Sequence, residues 1–532
     1  MVTMAVTANN RRPAGLRCAV LTKRVRLHTA CAAALLVVCA APASALDWQF
    51  EPSVGATATY TDNVNQRAAN SQDALILSVS PGFSLRSKGS RRVQASLQYG
   101  LSAVNRFGGG ADNDLFHHLD AAGKAELVED LLYLDASARI SQELISLLGS
   151  SADASTNSSN RTNVGTYLVS PYIKKRLGTF AEAEVRTTAS GAFFGDNAAA
   201  NSSVRAFSAH LASGTRFNDL NWALDYSIRK ANNQNTRDTT FERANVLLGY
   251  GLTRKFRVFG TVGQDKNDYL SSTSTDGSSY SVGFGWAPSR RTSLEASVGE
   301  RYFGRTYSLA ANHRTRLSRW NIRYSEDVSD ITQQFLEQSG RIFWVCGGRL
   351  IETPDATPPA NQSCTQGPIS AGQLAQAAVN LGVPVADVVA AGLLNVSTAN
   401  GVFILKSLTA GVNWDVGRLG FGVSAQDTKR LYQVLGDAQD HIRGVVGSVS
   451  YRMSHHTTAN TSLALTRTTF DAALAGGSSR EEDMVSLSLG VTHRFASNLS
   501  GGLTLRHSQR DSTAATASYD ENSISATANM QF

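Results

Sequence analysis

The chain has 532 residues, with 50 Lys or Arg against 43 Asp or Glu and a formal charge of +7 at pH 7. Six basic residues and no acidic ones fall within residues 1–45, so the remainder is nearly neutral, at 44 basic against 43 acidic. A neutral chain has no basic footprint for nucleic acid, and this excludes nucleic acid as an expected partner.

Residues 1–45 have the order of segments that is typical of a secretory signal peptide. Basic residues come first, an apolar run follows from Ala30 to Ala41, and Ala43-Ser44-Ala45 offers small residues for cleavage. The apolar run is too short to span a bilayer. The long basic region leaves Met4 or a later codon open as the start. Arg11-Arg12 raises twin-arginine export, but the flanking residues favour the Sec route.

Cysteine usage agrees with export. Cys39 raises lipidation, but the bulky Val38 before it disfavours that alternative. Cys346 and Cys364 are the cysteines that remain after removal of residues 1–45, and in an oxidising compartment we expect them to form a disulfide. Zinc binding is a weaker alternative, because no nearby His or second Cys pair completes a site.

Residues 46–532 contain no apolar stretch of about 18 residues, so no membrane-spanning helix is expected. They contain repeated segments in which apolar and polar residues alternate, as in Trp222–Arg229, Trp320–Ser325 and Met484–Val491. A period of two predicts strands with one apolar and one polar face. Tryptophan and tyrosine near strand ends suit aromatic girdles, although each is also compatible with ordinary strand packing: Trp222, Tyr250, Trp320, Trp414 and Tyr451.

The connections between these strands alternate between short turns and longer loops rich in Gly, Asn, Ser and Asp. Phe303–Arg305 is short where a long loop is due, and residues 329–401 are very long. A β-sandwich has no reason to keep one end tight, whereas outer-membrane barrels have short periplasmic turns and long extracellular loops. We therefore predict an all-β fold, an antiparallel transmembrane β-barrel over residues 46–532. We count about 22 strands, fifteen before residues 329–401 and seven after.

Residues 329–401 are predicted to be a partly helical extracellular insert. Two short Ala-rich helices are expected over residues 373–381 and 386–394, separated by Gly382-Val383-Pro384. One interpretation is a surface loop stapled by the disulfide. The other is a lid or partial plug in the barrel mouth, because strand side chains alone cannot fill a barrel of this size.

Polar residues on the predicted strands are candidates to face the lumen. Arginines dominate them and would favour anionic solutes or acidic glycans, but charged inner faces are also expected for solvation alone. The candidates are Asp225, Arg229, Glu295, Arg301, Arg323, Arg443, Arg452 and Arg506.

No catalytic or cofactor motif is present in the sequence. His117-His118 and His455-His456 lack acidic partners and metal-ligand spacing, and there is no G-x-S-x-G, P-loop or calcium loop. We expect no enzyme and no cofactor, although a dispersed Ser/His/Asp set is an alternative that spacing would not reveal.

The chain ends on an alternating strand, Ser523–Phe532, with an aromatic as its final residue. Soluble domains usually fray at a polar tail. An even strand count places this end on the periplasmic side, where barrel-assembly machinery reads the last strand, so Phe532 is the expected assembly signal. Met530 stands where a second aromatic is common.

Tyr60–Asn65 after the first strand and Ser78–Leu85 on the second resemble a group of outer-membrane β-barrel porins. That group is associated with exopolysaccharide loci and the PEP-CTERM/exosortase system. The resemblance implies residence in the outer-membrane lipid and a role with exopolysaccharide and its export proteins. In this sequence Asp62-Asn63 suits a turn, and Pro81 implies a bulge or a break in the ladder.

Two functions remain open. The first is a porin-like channel for solute or polysaccharide. The second is a non-conducting structural barrel whose loops bind glycan or partner proteins. The sequence does not specify the oligomeric state.

Overall fold

The structure is a computed structural model, and it describes part of the chain. The predicted signal peptide, both predicted helices of the insert and the Cys346–Cys364 disulfide lie outside the residues and side chains described. The described residues are 47–88, 90, 92–108, 113–144, 161–195, 201–234, 237–271, 274–339, 342–346, 349–353, 369–370, 401–434, 438–475 and 477–532.

Twenty-two strands form one antiparallel sheet. Those before the insert are β1 Asp47–Thr61, β2 Ala74–Lys88, β3 Val93–Phe107, β4 Asp114–Val128, β5 Leu132–Leu144, β6 Arg161–Leu177, β7 Ala181–Phe194, β8 Ser202–Ser213, β9 Leu220–Asn233, β10 Thr239–Thr253, β11 Phe256–Asp268, β12 Gly277–Ser289, β13 Thr292–Arg301, β14 Gly304–Arg314 and β15 Ser318–Asp330. Those after it are β19 Val402–Val416, β20 Leu419–Tyr432, β21 Gln439–Arg452, β22 Thr457–Phe470, β23 Arg480–Arg494, β24 Leu499–Ser512 and β25 Tyr519–Gln531.

Smaller elements lie between these strands. Helix α1 spans Ile331–Ser339, and β16 Ile342–Cys346, β17 Arg349–Thr353 and β18 Ile369–Ser370 form a separate three-stranded sheet. A short helix α2, Ala472–Ala475, and a 3₁₀ turn, Ala515–Ala517, lie in later loops. None of the described helices has the length and apolar character needed to cross a bilayer.

The sheet closes on itself. Each strand pairs with its neighbours in the chain, β15 pairs with β19 across the insert, and β1 pairs with β25 over Ser53–Thr61. Closure removes the sheet edges and gives each strand a hydrogen-bonded partner on both sides. The predicted barrel is confirmed, including the count of 22 strands as fifteen plus seven.

Short and long connections lie at opposite ends of the barrel, called here the short-turn end and the long-loop end. The exception at the long-loop end is the connection Tyr302-Phe303 between β13 and β14. The short turn before β15 is closed by hydrogen bonds between Thr315 and Ser318, the first residue of β15. The Ser318 amide donates to the Thr315 hydroxyl at 2.8 Å, and the Thr315 amide donates to the Ser318 carbonyl at 2.8 Å.

Pro81 in β2 interrupts the β2–β3 ladder without shifting its register, while the β1–β2 ladder continues through it. Val79 pairs with Ala103 and Gly82 with Gly100, so the same register continues on both sides of Pro81 while the ladder lapses between them. This is the predicted local break rather than a bulge. A bulge would have moved every later side chain to the other face.

One face of the sheet carries a continuous belt of exposed large apolar side chains, called here the apolar belt. Many members are cross-strand partners of one another on adjacent strands. The belt also continues across the junction of β1 and β25, where the barrel closes. Members are Leu224, Val246, Val262, Tyr280, Val282, Val298, Tyr307, Leu489, Leu505, Ile524, Tyr60 and Leu75.

Aromatic residues collect on the same face near the short-turn end. The rings of Trp320 and Trp414 meet at 5.5 Å between centroids, and Trp222 packs against Phe180 and Phe217. Tyr250 and Tyr451 lie near the same ends of β10 and β21. All five residues that the sequence suggests for a girdle therefore lie at one rim of the belt.

Candidate functional site: the barrel lumen

Helix α1 identifies the inner face of the barrel. It follows β15 directly, yet its Ile331 packs with Val164 of β6 and with Ala192 and Phe194 of β7. These strands lie eight or more places away along the wall, so the contact runs through the interior. Val164, Ala192 and Phe194 lie on the face opposite the exposed apolar residues of their strands, and that face therefore lines the lumen.

Register then locates the residues that the sequence suggests for the lumen. Seven of the eight alternate with apolar-belt residues or exposed apolar neighbours and so lie on the inner face. They are Asp225, Arg229, Glu295, Arg301, Arg323, Arg452 and Arg506.

The eighth, Arg443, lies on the outer face, and its sequence assignment to the lumen is wrong. It shares its face with Val445 and Val449, which are exposed, and lies near Asp427. The error arises because Ile442 and Val446 point inward and are buried. With apolar residues on both faces, the alternation of β21 does not indicate which face is which.

From mid-height to the short-turn end the inner face is polar and solvated. His210 and Asp225 meet at 2.6 Å on neighbouring strands, and Arg257 pairs with Glu295; each of these four side chains is about half exposed. Arg323 is also exposed. Such cross-strand pairs neutralise much of the charge, so the inner face is polar without being strongly basic.

Near the long-loop end the inner face is packed. Phe403 and Ile442 are almost completely buried, and the buried Arg430 donates to both carboxylate oxygens of Asp440 at 2.7–3.1 Å. Inward side chains in a wide, water-filled barrel would stay exposed. At this level the described chain is packed on the inner side of the wall.

Part of that chain is a segment called here the crossing segment, residues 325–339. In the described chain, β14 pairs with β15 only over Leu309–Arg314, opposite Arg319–Tyr324. Beyond Tyr324, β15 keeps its pairing with β19 but leaves β14. The upper part of β15 thus departs from the wall, and α1 continues it to β5, β6 and β7.

Ion pairs fix the start of the crossing segment. Arg229 of β9 donates from two nitrogens to the two carboxylate oxygens of Asp330, at 2.5 and 3.0 Å. Arg301 and Arg243 reach Asp327 at 2.7 and 3.2 Å. A bidentate guanidinium–carboxylate pair fixes orientation as well as distance.

Asp330 has a second role at the start of α1. Its Oδ1 accepts a hydrogen bond from the amide of Gln333 at 2.9 Å, so the same carboxylate caps the helix. Two residues later, the Thr332 hydroxyl lies 2.6 Å from that of Ser202 on β8, and both residues are buried. The crossing segment therefore has a defined anchor on the far wall.

Apolar contacts also hold the crossing segment, at Val328, between the two aspartates that form the ion pairs. Val328 packs with Val402 and Ile404 of β19 and with Tyr269 in the β11–β12 loop. The Tyr269 and Tyr302 hydroxyls lie 2.9 Å apart. Burial raises the pKa of both phenols, in Tyr302 well beyond its ordinary value. Both tyrosines thus remain neutral hydrogen-bonding groups at physiological pH.

The Tyr60–Asn65 motif fastens the closure of the barrel. The Asn63 side-chain amide donates to the carbonyls of Arg67 and Asp520, at 2.9 and 2.8 Å, and its oxygen accepts from the Arg67 amide at 3.1 Å. Thr61 donates to Glu521 at 2.9 Å. The turn that the sequence suggests is present. The hydrogen bonds to Asp520 and Glu521 of β25 could not be predicted from the sequence, because these residues lie more than 450 positions away.

The described residues hold no group of three or more His, Cys, Asp or Glu that could bind a metal ion. His117 accepts or donates a 2.8 Å hydrogen bond with the Tyr99 hydroxyl, and His455 and His456 lie in an exposed turn. These histidines have the ordinary environments of strand and turn residues.

Comparison with models of known protein families gives no match, and no curated protein is similar in sequence. Solved structures do match. The FrpB iron transporter of Neisseria meningitidis (F5-1 variant, apoprotein form) aligns with 91% of this chain and 81% of its own, at a TM-score of 0.50 and 10% identity. The siderophore receptor PirA of Acinetobacter baumannii aligns with 91% of this chain and 80% of its own, at a TM-score of 0.48 and 9% identity.

The likeness to FrpB shows the fold. At 10% identity it transfers no substrate and no binding residue to this chain. It does agree with the closed antiparallel barrel of 22 strands that the pairing defines.

Proposed function

We propose that this chain is a channel of the bacterial outer membrane, exported through the periplasm after cleavage of residues 1–45 and inserted by the barrel-assembly machinery. A closed barrel with an apolar belt outside and a polar inner face satisfies its backbone and is solvated by lipid. The observation that carries the proposal is the contrast inside the lumen. It is solvated at mid-height and is packed at the long-loop end.

The substrate that we propose is an exopolysaccharide or one of its precursors, handled together with export proteins. The Tyr60–Asn65 and Ser78–Leu85 resemblance supports this assignment, and a solvated polar lumen suits a hydroxyl-rich chain. Pairing of Arg229 and Arg301 with aspartates argues against strong selectivity for anions. The names of the similar structures concern iron and siderophores, and nothing in the described lumen resembles a metal site.

A non-conducting surface barrel is the second candidate. The packed long-loop end, with buried Phe403 and the Arg430–Asp440 pair, favours it, because folded chain there can close the lumen permanently. In that case the loops bind glycan or partner proteins and nothing passes.

Single-channel recording in planar bilayers separates the two candidates. The wild-type protein is compared with a deletion of residues 335–398, and heat-modifiable gel migration confirms that both are folded. Conductance that is larger after the deletion, and that falls when neutral and acidic polysaccharides are added, supports the channel. Silence of both folded proteins would overturn it and favour the non-conducting barrel.

A further inference from the structure

We propose that Arg229 and Asp330 form an ionic latch that holds the crossing segment over the lumen, and that releasing the latch widens the pore. The proposal rests on the proposed channel function and assigns its regulation. It concerns described residues alone: β9 on one side, and the upper part of β15 with α1 on the other.

Geometry makes this pair the latch rather than one more lumen ion pair. Arg257 and Glu295 also face the lumen, but both belong to the wall, on β11 and β13. Arg229 and Asp330 instead join the wall to a segment that has left it. Their side chains are only 17% and 11% exposed, so salt screens them little.

The wall beside β15 allows the segment to move. Above Tyr324, β15 has no ladder with β14, and the β13–β14 hairpin is short. The upper part of β15 is therefore tied by hydrogen bonds to β19 alone, and otherwise by the latch, the Asp327 ion pairs and the Val328 contacts. On the far wall, α1 adds the Ser202–Thr332 hydroxyl contact and the Ile331 contacts. We propose that loss of the latch weakens this limited set of attachments enough for the segment to leave the lumen.

Asp330→Asn is the sharpest change, because asparagine retains the helix cap while the charge is lost. Arg229→Gln tests the other partner, and the swap Arg229→Asp with Asp330→Arg tests recovery. Arg257→Gln is the matched control, since it removes a lumen arginine that does not touch the crossing segment. Heat-modifiable migration selects the variants that fold.

The position of the crossing segment is read without conduction. Ser202→Cys and Thr332→Cys place two thiols where hydroxyls lie 2.6 Å apart, and mild oxidation then joins them. The cross-linked peptide is quantified by mass spectrometry, and the parent protein treated alike accounts for Cys346 and Cys364. We expect rapid cross-linking, a several-fold slower rate with Asp330→Asn and no change with Arg257→Gln. The charge swap restores the ion pair but not the helix cap, so we expect it to recover part of the rate that Arg229→Asp alone loses.

Conductance then connects position to function. We expect Asp330→Asn to enlarge single-channel conductance and the oxidised double-cysteine protein to have the lowest, with reduction restoring it. A cross-linking rate that is the same with and without Asp330→Asn overturns the latch. So does a channel whose conductance is changed neither by Asp330→Asn nor by oxidation of the double-cysteine protein. If no variant conducts, the proposed function fails, while the cross-linking rate still reports whether the latch holds.

Discussion

Asp62 at the end of the first strand accepts two hydrogen bonds from Asn522 on the last, from its amide and from its side chain, each at 2.8 Å. This bidentate contact continues the β1–β25 ladder beyond Thr61, the last paired residue of β1. Barrel closure joins residues that are separated by almost the whole chain, so its chain-entropy cost is large and local contacts must offset it. The resemblance motif is therefore a closure device rather than a chemical site.

Asn63→Ala should weaken this closure more than Asp62→Ala. Asn63 is buried and its amide makes three hydrogen bonds, so its loss leaves the Asp520 carbonyl without this donor and should lower the free energy of unfolding by about 2 kcal/mol. Asp62 is more exposed, so we expect Asp62→Ala to lower the free energy of unfolding by only about 1 kcal/mol. Urea unfolding in lipid measures both. The exposed Asn312→Ala is the control, and equal effects of all three variants would contradict the assignment.

Val262→Arg should be one of the most damaging single changes in the barrel wall. Val262 is 59% exposed in the middle of the apolar belt, and arginine at the bilayer midplane costs about 2–4 kcal/mol. Thr261→Arg places the same charge one residue away on the inner face, where water is available, and should cost less than about 1 kcal/mol. Similar losses for the two variants would show that this face does not contact lipid.

The architecture was predictable because the lipid face and the loop lengths repeat along the chain. Trp222, Leu224 and Tyr226 alternate with polar residues, and this local pattern sets both strand and face. Arg443 shows where the signal fails. Ile442 and Val446 of the same strand are buried on the inner face, towards the long-loop end. In this strand an apolar residue therefore no longer marks the lipid-facing side.

Arg443 and Arg323 should therefore have opposite environments. With Arg443→Cys or Arg323→Cys carrying a spin label, we expect the first to collide mainly with lipid-soluble oxygen and the second with a water-soluble nickel chelate. The two positions have opposite orientations in their strands. Power-saturation electron paramagnetic resonance in liposomes measures the collisions. If both labels prefer the nickel chelate, Arg443 lies outside the lipid, in the row of charged residues that includes Asp427 and Arg467. A label at Val445, which is on the same face and 46% exposed, then tests the register, and preference for the nickel chelate there would show that the register of β21 is wrong.

The crossing segment could not be predicted from the sequence, although a lid or partial plug was one interpretation of residues 329–401. The contacts of Asp327 and Asp330 with β9, β10 and β13 are tertiary, and no periodicity encodes them. The sequence does mark the place indirectly. The short Tyr302-Phe303 connection is the one break in the alternation of loops, and beside it β15 leaves the wall.

Tyr302→Phe should change the alkaline stability of the barrel. Burial keeps the Tyr302 phenol neutral in the folded protein, whereas in the unfolded chain it ionises above about pH 10. Its contribution is therefore complete below pH 10 and decreases as the pH rises beyond it. At neutral pH the free energy of unfolding of the variant should be about 1 kcal/mol lower than that of the wild type, because the hydrogen bond with Tyr269 is lost. Above about pH 10 its free energy of unfolding should decrease less steeply with pH than that of the wild type.

Urea midpoints measured between pH 8 and 11 test this expectation. Tyr307→Phe is the control for removing a phenol, because its ring is exposed on the apolar belt. A variant of Tyr302 with the same alkaline slope as the wild type would show that this hydroxyl is not held neutral by the fold.

Phe532→Ala should reduce the amount of assembled barrel without weakening the folded state. The ring is 65% exposed, and the residue's backbone amide, which donates to the Pro52 carbonyl at 2.9 Å, is retained. We expect a change in unfolding free energy below about 0.5 kcal/mol, together with a several-fold lower yield in the outer membrane. Phe495→Ala is the matched control, because its ring is equally exposed at the same end. Equal yields of the two variants would remove the assembly role from Phe532. A large loss of stability would make its role structural, because an assembly signal acts before the barrel has closed and leaves the finished fold unchanged.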